Sequence, residues 1–356
     1  MDRVPTLADV AQTAGISQKT ASRVLNGEPY VSEKTRNLVQ RAITRLGYRP
    51  NQMARGLKAR KSAAIGMVVP NLSDPFTATA IQAVQQVARS NGYVAIVTSS
   101  GGDEESERSE IETLVSRQVD GLIIAPADGR TNTISVGLPR DLPIVTFDQT
   151  VRGADFDSVT VNNRRSAQLA TEHLIAHGLR RIVAIGARPQ LYTCAKRVAG
   201  YRKAMLRSSL KPCVGLVEHE SMLTPDWLAE YVFGTYQTEA IFSLNWVCSM
   251  LILRGLHRLG RKIGPELAFL AFDEFDLAET IAPGITVIQQ PTELIGTTAA
   301  KLLFERVKGE VDSDRRNVVL RTQLLIRASC GCGAKDHFDP VENDLVGAPS
   351  FETPIT

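Results

Sequence analysis

The apolar residues of the first 47 positions recur at intervals of three and four, a spacing that predicts short amphipathic helices. The first helix is expected to follow Thr6, whose hydroxyl can cap it, and to end at Gly15. A second should begin after Ser17 and end at the breaking sequence NGEP at 26–29, and a third should occupy the stretch 32–47. The residues expected to face a small shared core are Leu7, Val10, Ala11, Ala14, Ala21, Val24, Leu25, Leu38, Val39, Ala42, Ile43 and Leu46.

The outward face of the second helix is polar and cationic, which indicates a partner outside the protein. Two short helices joined by a glycine-containing turn and braced by a third are typical of a helix-turn-helix, whose second helix enters the DNA major groove. Glutamine pairs with adenine, and lysine or arginine with guanine, so we expect Gln18, Lys19 and Arg23 to contact bases. The residues expected on phosphates are Ser17, Thr20 and Ser22. The alternative is a face that is merely solvated.

The distribution of charge supports a polyanionic partner for this end of the chain. Residues 1–61 hold 12 Lys and Arg against four Asp and Glu, a net charge of +8, although the whole chain carries only +3. A basic module joined to a mildly acidic body is typical of proteins that bind nucleic acid. On charge alone, a terminus that is basic by chance is the alternative.

The segment 48–61 joins these helices to the body. Asn51 can cap one more helix, but the segment is only about two turns long and Gly56 weakens it. We therefore expect it to fold only against a partner. Leu57 is an apolar residue among cations, which favours insertion between base steps in a minor groove; packing of Leu57 on the body is the alternative.

From residue 63 the pattern changes to apolar strands that alternate with helical segments such as 77–92 and 164–178. Nearly continuous apolar strands alternating with helices predict an α/β fold with doubly wound parallel sheets, and about 270 residues suffice for two lobes. The expected strands are 63–69, 93–98, 121–125, 143–147, 181–186, 240–244, 267–272 and one near 285–288.

Ligands of such sheets bind beyond the carboxyl ends of the strands, so the residues that follow each strand are candidates for a binding site. Carboxylates and amides bind hydroxyls, arginine binds oxygen, and an aromatic face covers the apolar face of a sugar. An Asp or Asn at a strand end can instead cap the next helix. The candidates are the loop 70–76, Asp148, Arg197, Asn245, Trp246, Asp273, Glu274, Gln289 and Gln290.

Five scattered cysteines favour reduced thiols in a cytoplasmic protein. The sequence Cys330-Gly331-Cys332 is a weak metal signal, because two sulfurs without nearby partners cannot complete a tetrahedral site. His173 and His177 have helical i, i+4 spacing, but no HExxH motif accompanies them and His177 is typical of a helix C-terminus. We therefore expect no metal and no cofactor.

Other classes of protein are disfavoured. No apolar run is long enough to span a membrane, and the N-terminus lacks the pattern of an export signal. Neither a GxGxxG sequence after a strand, nor a P-loop, nor a nucleophile elbow is present, so an enzyme is not expected. The last residues, 333–356, are acidic and contain three prolines, which predicts disorder.

The motifs TLADVAQTAGISQKTASRVLNG, VSEKTR and LGYRPNQMARGL, together with the body that follows to about residue 330, resemble the LacI/GalR family of bacterial transcription regulators. The resemblance implies a homodimer on a palindromic operator, with each head in the major groove and paired hinge helices that place Leu57 in the minor groove. Gln18, Lys19 and Arg23 also fall on DNA-reading positions of the family. The full set of residues expected on DNA is Thr6, Ser17, Gln18, Lys19, Thr20, Ser22, Arg23, Asn26, Tyr48, Asn51, Ala54, Arg55, Leu57 and Lys58.

The resemblance also implies an effector site. Asp148, Arg197 (in the family landmark KRVAGY), Asn245 and Asp273 match positions that contact effector, and Phe76 and Gln290 match further ones. Trp246 stands where the family usually has an acidic residue, so an indole here either stacks on a ring or narrows the cleft. A sugar or sugar acid is the expected effector.

Four parts of the chain are expected: a DNA-binding domain at 1–49, a hinge at 50–61, a two-lobed effector-binding and dimerisation domain at 62–331, and a disordered tail at 332–356. The sequence therefore predicts a DNA-binding transcription regulator, expected to be a repressor, under the control of a small molecule. The alternative is a small-molecule receptor whose head contacts protein instead of DNA.

Overall fold

The computed structural model describes residues 5–25, 28–48, 62–129, 134, 136–264, 266–311, 314–332 and 350–351. The chain divides into an N-terminal unit, residues 1–62, and a larger unit, residues 63–356. The helices of the N-terminal unit are α1 (Leu7–Ala14), α2 (Gln18–Leu25) and α3 (Glu33–Leu46).

Local capping explains where these helices begin and end. The Thr6 hydroxyl accepts from the Asp9 amide, and the Thr6 amide donates to the Asp9 carboxylate over 2.7 Å, a reciprocal capping box. The Ser17 hydroxyl accepts from the Thr20 amide over 3.1 Å at the start of α2. Gly15 has a φ of +69°, a left-handed conformation that stops α1 without steric cost. The predicted helix starts and stops are confirmed.

The small core of this unit lies between the three helices. Val10, Ala21 and Val39 are completely buried, as the spacing predicts. The prediction for Leu38 was wrong, because its side chain is 39% exposed. Neighbouring residues of a helix point about 100° apart, and Val39 and Ala42 already occupy the inward face of α3.

The larger unit is built from strands and helices that alternate along the chain. Its strands are β1 (Ala64–Val69), β2 (Val94–Ser99), β3 (Leu122–Ile124), β4 (Ile144–Phe147), β5 (Asp157–Val161), β6 (Ile182–Ala187), β7 (Cys213–Val217), β8 (Ala240–Ser243), β9 (Ala268–Phe272), β10 (Thr286–Gln289), β11 (Asn317–Leu320), β12 (Gln323–Leu325) and β13 (Ser350–Phe351). Its helices are α4 (Pro75–Ser90), α5 (Glu104–Ser116), α6 (Asn163–Ala176), α7 (Tyr192–Arg207), α8 (Pro225–Leu228), α9 (Trp246–Arg258) and α10 (Thr292–Lys308).

These strands form two sheets, one in each lobe. The first-lobe sheet has the order β13-β11-β5-β4-β3-β1-β2, and the second-lobe sheet has the order β12-β10-β9-β8-β6-β7. All strand pairs are parallel except those of the edge strands β12 and β13, so the predicted doubly wound parallel architecture is confirmed. Among the described strands, the chain passes between the two sheets after β5, after β10, after β11 and after β12.

The predicted tail differs from expectation where the structure describes it. Cys332 is only 7% exposed and packs in the core of the second lobe. Ser350–Phe351 pairs with β11 as a short antiparallel strand. None of the helices in the described ranges has the length and apolar composition required to cross a bilayer.

Candidate functional site

The N-terminal unit presents the predicted polar surface of α2. Ser17, Gln18, Lys19 and Arg23 are exposed there. Thr20 and Ser22 are half-buried on the same helix; elsewhere in the unit Thr6 is exposed and Tyr48 half-buried. The other residues predicted to contact DNA lie outside the described residues: Asn26, Asn51, Ala54, Arg55, Leu57 and Lys58.

Arg23 has a partner on the surface of this unit. Its Nε lies 3.2 Å from the Glu28 carboxylate, and the two side chains are 52% and 45% exposed. An ion pair this exposed contributes little to stability, because water and salt screen it. The guanidinium can therefore exchange Glu28 for a base edge or a phosphate at small cost.

The larger unit contains a cavity of about 410 Å³ at the carboxyl ends of the strands of both sheets. It is lined by Phe76, Asp148, Arg197, Asn245, Trp246, Asp273 and Gln290, the whole predicted effector set, but not by the other two strand-end candidates, Glu274 and Gln289. Asn71 and Asp74 of the candidate loop 70–76 also line it. The further polar residues that line it, which are not predicted from the sequence, are Gln149, Arg188, Thr193 and Glu220.

Arg197 is the fixed cation of the cavity. It is 3% exposed, and its guanidinium stacks over the Phe272 ring at 3.6 Å from the centroid. Nε donates to Asn163 Oδ1 over 2.8 Å, and Nη1 donates to the Leu244 carbonyl over 2.6 Å. These contacts hold the planar group in one orientation, with Nη1 3.8 Å from the Asp273 carboxylate.

Asp273 is the centre of a hydrogen-bonded group at the end of β9. Its backbone has a φ of +81°, an unfavourable conformation for a residue with a side chain and one that is concentrated at functional sites. Its carboxylate accepts from the Trp246 amide over 3.2 Å and from Gln290 Nε2 over 2.6 Å. Gln290 Oε1 is buried and has no hydrogen-bond partner among the described residues, so a ligand hydroxyl can donate to it.

Two more carboxylates lie in the cavity, and both are difficult to ionise. Burial raises the pKa of Asp74 to about 7, with repulsion from Asp273 as the next cause. Burial also raises the pKa of Asp148, opposed by the Arg197 charge and reinforced by Asp273. The remaining pair of charges, Arg188 and Glu220, is 3.0 Å apart and neutral overall. The cavity is therefore rich in acceptors for hydroxyl groups and unfavourable for an anion.

Contacts between the lobes cross the cavity. Gln149 Nε2 on the first lobe donates to Asp148 over 3.0 Å and to the Thr193 hydroxyl on the second lobe over 2.8 Å. Arg188 Nη1 on the second lobe donates to the Gly102 carbonyl on the first lobe over 2.8 Å. Any change in the angle between the lobes must break or rebuild these contacts.

Comparison with known proteins agrees with this arrangement. Residues 62–328 match the family described as periplasmic binding proteins and sugar binding domain of LacI family, and residues 6–51 match bacterial regulatory proteins, lacI family. The chain belongs to the LacI family.

Two relatives and one solved structure illustrate the range of similarity. The transcriptional regulator PtxS of Pseudomonas plecoglossicida is 32% identical over 91% of this chain and 95% of its own length. The transcriptional repressor PurR of Photobacterium profundum is 29% identical over 91% of this chain and 98% of its own. The structure of the transcriptional regulator CelR with cellobiose has 28% identity and a TM-score of 0.68, and the match covers 91% of this chain and 99% of that one.

LacI-family proteins are regulators of transcription that bind DNA through the N-terminal module and small-molecule effectors through the body. In this chain the aromatic walls of the cavity are Phe76, which stacks with Phe147 at 6.4 Å between ring centroids, and the half-buried Trp246. Asn245 has two roles, because its Oδ1 accepts from the Cys248 amide over 2.7 Å and caps α9 while the residue lines the cavity. The capping alternative therefore holds for Asn245 without excluding a ligand contact.

The premise that Cys330 and Cys332 lack nearby partners was wrong. Their sulfurs lie beside the imidazoles of His173 and His177, and the four donor atoms are all within 4.8 Å of one another. The histidine pair and the cysteine pair are more than 150 residues apart in the sequence. The spacing within either pair therefore does not indicate that the other pair lies beside it.

Proposed function

We propose that this LacI-family chain is a repressor that binds a palindromic operator as a homodimer and is controlled by a neutral sugar. In the cytoplasm, where the operator is accessible, the sugar occupies the cavity and changes the affinity of the heads for DNA. The observation that carries the proposal is the convergence of Asp148, Arg197, Asp273 and Gln290 on one cavity.

The electrostatics of the cavity favour a neutral ligand. Once Arg188 and Glu220 are paired, Arg197 faces three carboxylates, those of Asp74, Asp148 and Asp273. A sugar acid or sugar phosphate would add negative charge where burial already raises the pKa of Asp74. Sugar hydroxyls instead donate to carboxylates and to Gln290 Oε1, while Phe76 and Trp246 cover the apolar face of the ring. The relative CelR, whose structure contains cellobiose, is consistent with this class of ligand.

A regulator accounts for both units of the chain, and an enzyme does not. The curated relatives PtxS and PurR are transcriptional regulators. Arg197, the buried cation of the cavity, donates hydrogen bonds to Asn163 and to the Leu244 carbonyl. These bonds hold its side chain in one position, which favours ligand binding. We infer that the ligand leaves the cavity chemically unchanged.

The DNA-reading part of the proposal is tested by selecting bound duplexes from a random pool with the purified chain. Arg23→Ala should cost ~1–3 kcal/mol of operator binding, a loss of about 5–150-fold, and should relax the preference at one base position. Arg41→Ala is the matched control, because Arg41 is an exposed cation of α3 outside the expected DNA set. Unchanged operator binding by Arg23→Ala would refute the assignment of Arg23 to base readout.

Two salt concentrations separate DNA binding from the alternative of a head that contacts protein. Phosphate contacts release counterions, so operator affinity should fall steeply as salt rises. A chain that shows no duplex preference at either concentration favours the protein-contacting head.

A thermal-shift screen tests the ligand class, with neutral mono- and disaccharides compared against sugar acids and sugar phosphates. At least one neutral sugar should raise the melting temperature of the wild-type chain, because binding to the folded state stabilises it. A response confined to the anionic compounds would contradict the charge argument.

A further inference from the structure

Four metal-ligating side chains meet in the second lobe, and none of them lines the effector cavity. His173 lies in the last turn of α6 and His177 caps the C-terminus of that helix. Cys330 and Cys332 follow the last described crossing of the chain into this lobe. Both cysteines pack in the core of the lobe, with 0% and 7% exposure.

The distances between the donor atoms are short. Cys330 Sγ lies 3.2 Å from His173 Nε2 and 3.1 Å from Cys332 Sγ. Cys332 Sγ lies 3.0 Å from His177 Nε2 and 3.6 Å from His173 Nε2. A disulfide requires sulfurs about 2.05 Å apart, so the two cysteines are not joined by one.

Local structure explains why each pair points to the same place. Residues four apart on a helix lie on the same face, and the two imidazoles are accordingly 4.7 Å apart between ring centroids. Gly331 has a φ of +94°, a left-handed turn that brings the side chains on either side of it together. Both histidines direct Nε2 at a sulfur.

The dimensions match one tetrahedral ion. With Zn–S of about 2.3 Å and Zn–N of about 2.0–2.1 Å, the edges of a Cys₂His₂ tetrahedron are about 3.3–3.8 Å. Four of the six separations are 3.0–3.6 Å, at or below these edges, and the sulfur–sulfur separation of 3.1 Å is the most contracted relative to its edge. All four atoms lie within 4.8 Å of one another, a spread that one ion can draw together.

We propose that His173, His177, Cys330 and Cys332 bind one Zn²⁺ ion in a structural site. Four protein ligands leave no open position for water or substrate, which distinguishes a structural zinc site from a catalytic one. Thiolate and imidazole ligands favour zinc over magnesium or calcium, which prefer oxygen.

The ion would join the segment that follows β12 to the rest of the second lobe. Its ligands connect α6, which packs against the second sheet, with the part of the chain that contains both cysteines. Zinc would therefore fix the C-terminal segment of the second lobe, and its loss should loosen that lobe without removing any residue from the effector cavity.

The first experiment measures metal in the full chain, purified under reducing conditions without chelator. Elemental analysis should find about one zinc per chain in the wild type. Cys330→Ser combined with Cys332→Ser should lose it, and Cys213→Ser, which changes a cysteine outside the group, should keep it. His177→Ala is a milder second variant that removes one half-buried ligand and should weaken retention of zinc during dialysis.

The second experiment uses Co²⁺ as a spectroscopic probe after removal of the native metal. Wild type should develop the visible bands of tetrahedral cobalt and a thiolate-to-cobalt charge-transfer band, and zinc should displace both. The melting temperature should fall on removal of the metal and recover on its return.

Several results would overturn the proposal. One is wild-type chain that is folded by circular dichroism yet holds neither zinc nor cobalt. Another is equal zinc content in the wild type and in folded His177→Ala and double-serine variants. A third is a metal-free chain in which thiol titration shows Cys330 and Cys332 oxidised to a disulfide, since the pair would then be redox-active.

Discussion

At the scale of single residues, Asp74 gives the cavity a pH dependence. Its carboxylate caps α4 by accepting from the Phe76 amide over 3.0 Å, while burial raises its pKa to about 7. Between about pH 4 and pH 7 the unliganded chain therefore holds a proton there that an ordinary aspartate, with a pKa of 3.8, has lost. Because the folded state binds this extra proton, the contribution of Asp74 to stability declines as the pH rises from about 4 to about 7.

A sugar hydroxyl that donates to Asp74 favours the charged form and lowers its pKa, so binding should release a proton near pH 7. Sugar affinity should accordingly rise between pH 6 and pH 8. Calorimetry of the sugar found in the screen, in buffers of different ionisation enthalpy, measures the released proton directly. Asp74→Asn keeps a residue that caps helices well and should abolish the buffer dependence. A wild-type binding enthalpy that is the same in every buffer would rule this mechanism out.

How far the cavity could be predicted from sequence depends on the residue. Asp148 and Asp273 follow apolar strands directly, so the rule that ligands bind at strand ends finds them. Arg188 and Gln149 act through contacts across the cavity: Arg188 reaches the carbonyl of Gly102, 86 positions away, and Gln149 reaches Thr193, 44 positions away. No local pattern records such a contact, because it exists only once the two lobes are built.

At the scale of secondary-structure elements, two helix pairs approach closely through glycine. A Cβ built on Gly200 of α7 would lie 2.1 Å from the Arg164 carbonyl oxygen of α6, and one on Gly296 of α10 would lie 2.5 Å from the Ala80 carbonyl oxygen of α4. Backbone atoms at these distances cannot move aside without separating the helices. The adjacent Tyr201 fixes α7 to the second sheet, because its hydroxyl donates to the Ile182 carbonyl over 2.7 Å and accepts from the Cys213 amide over 2.9 Å.

Gly200→Ala should therefore destabilise the chain by about 1–3 kcal/mol, the usual cost of overpacking. In a helix without such a contact the same change is favourable by ~0.5–1 kcal/mol, so the sign of the effect is diagnostic. Denaturant unfolding of the larger unit measures it. Gly234→Ala, in the π-helical segment Ala229–Thr235, is the control, since its Cβ would have its nearest neighbour at 3.7 Å, an ordinary contact. Equal midpoints for Gly200→Ala and wild type would show that the helices can separate freely.

The apolar pattern does not predict the strands β5, β7, β11 and β12. For β5 the reason is a set of contacts between residues far apart in the sequence. β5, with the sequence DSVTV, carries three polar residues yet is buried along its whole length. Asp157 is tolerated there because Arg306 and Arg316 both donate to its carboxylate, over 2.7 Å and 3.0 Å, from about 150 positions away. The strands β7, β11 and β12 are short edge or near-edge strands with mixed exposure. The long, uniformly apolar strands and the capped helices are predicted to within a few residues because their signals are local.

At the scale of the whole molecule, one chain carries both a DNA-reading head and a ligand-binding body. The described strands show four chain crossings between the lobes, and hydrogen bonds of Gln149 and Arg188 link the lobes across the cavity. A ligand that contacts both lobes shifts the equilibrium between their arrangements by its differential affinity for them. The effect of the ligand on the affinity for DNA is then a coupling free energy of about 1–3 kcal/mol, which corresponds to a 5–150-fold change in that affinity.

The most direct test of this coupling is operator affinity by fluorescence anisotropy, with and without saturating sugar, in wild type and in Asp273→Ala. We expect a change of about 5–150-fold for wild type. We expect no response to sugar in Asp273→Ala, whose affinity for operator in the absence of sugar should equal that of wild type. Wild-type affinity that stays the same with every sugar that raises the melting temperature would contradict the central claim.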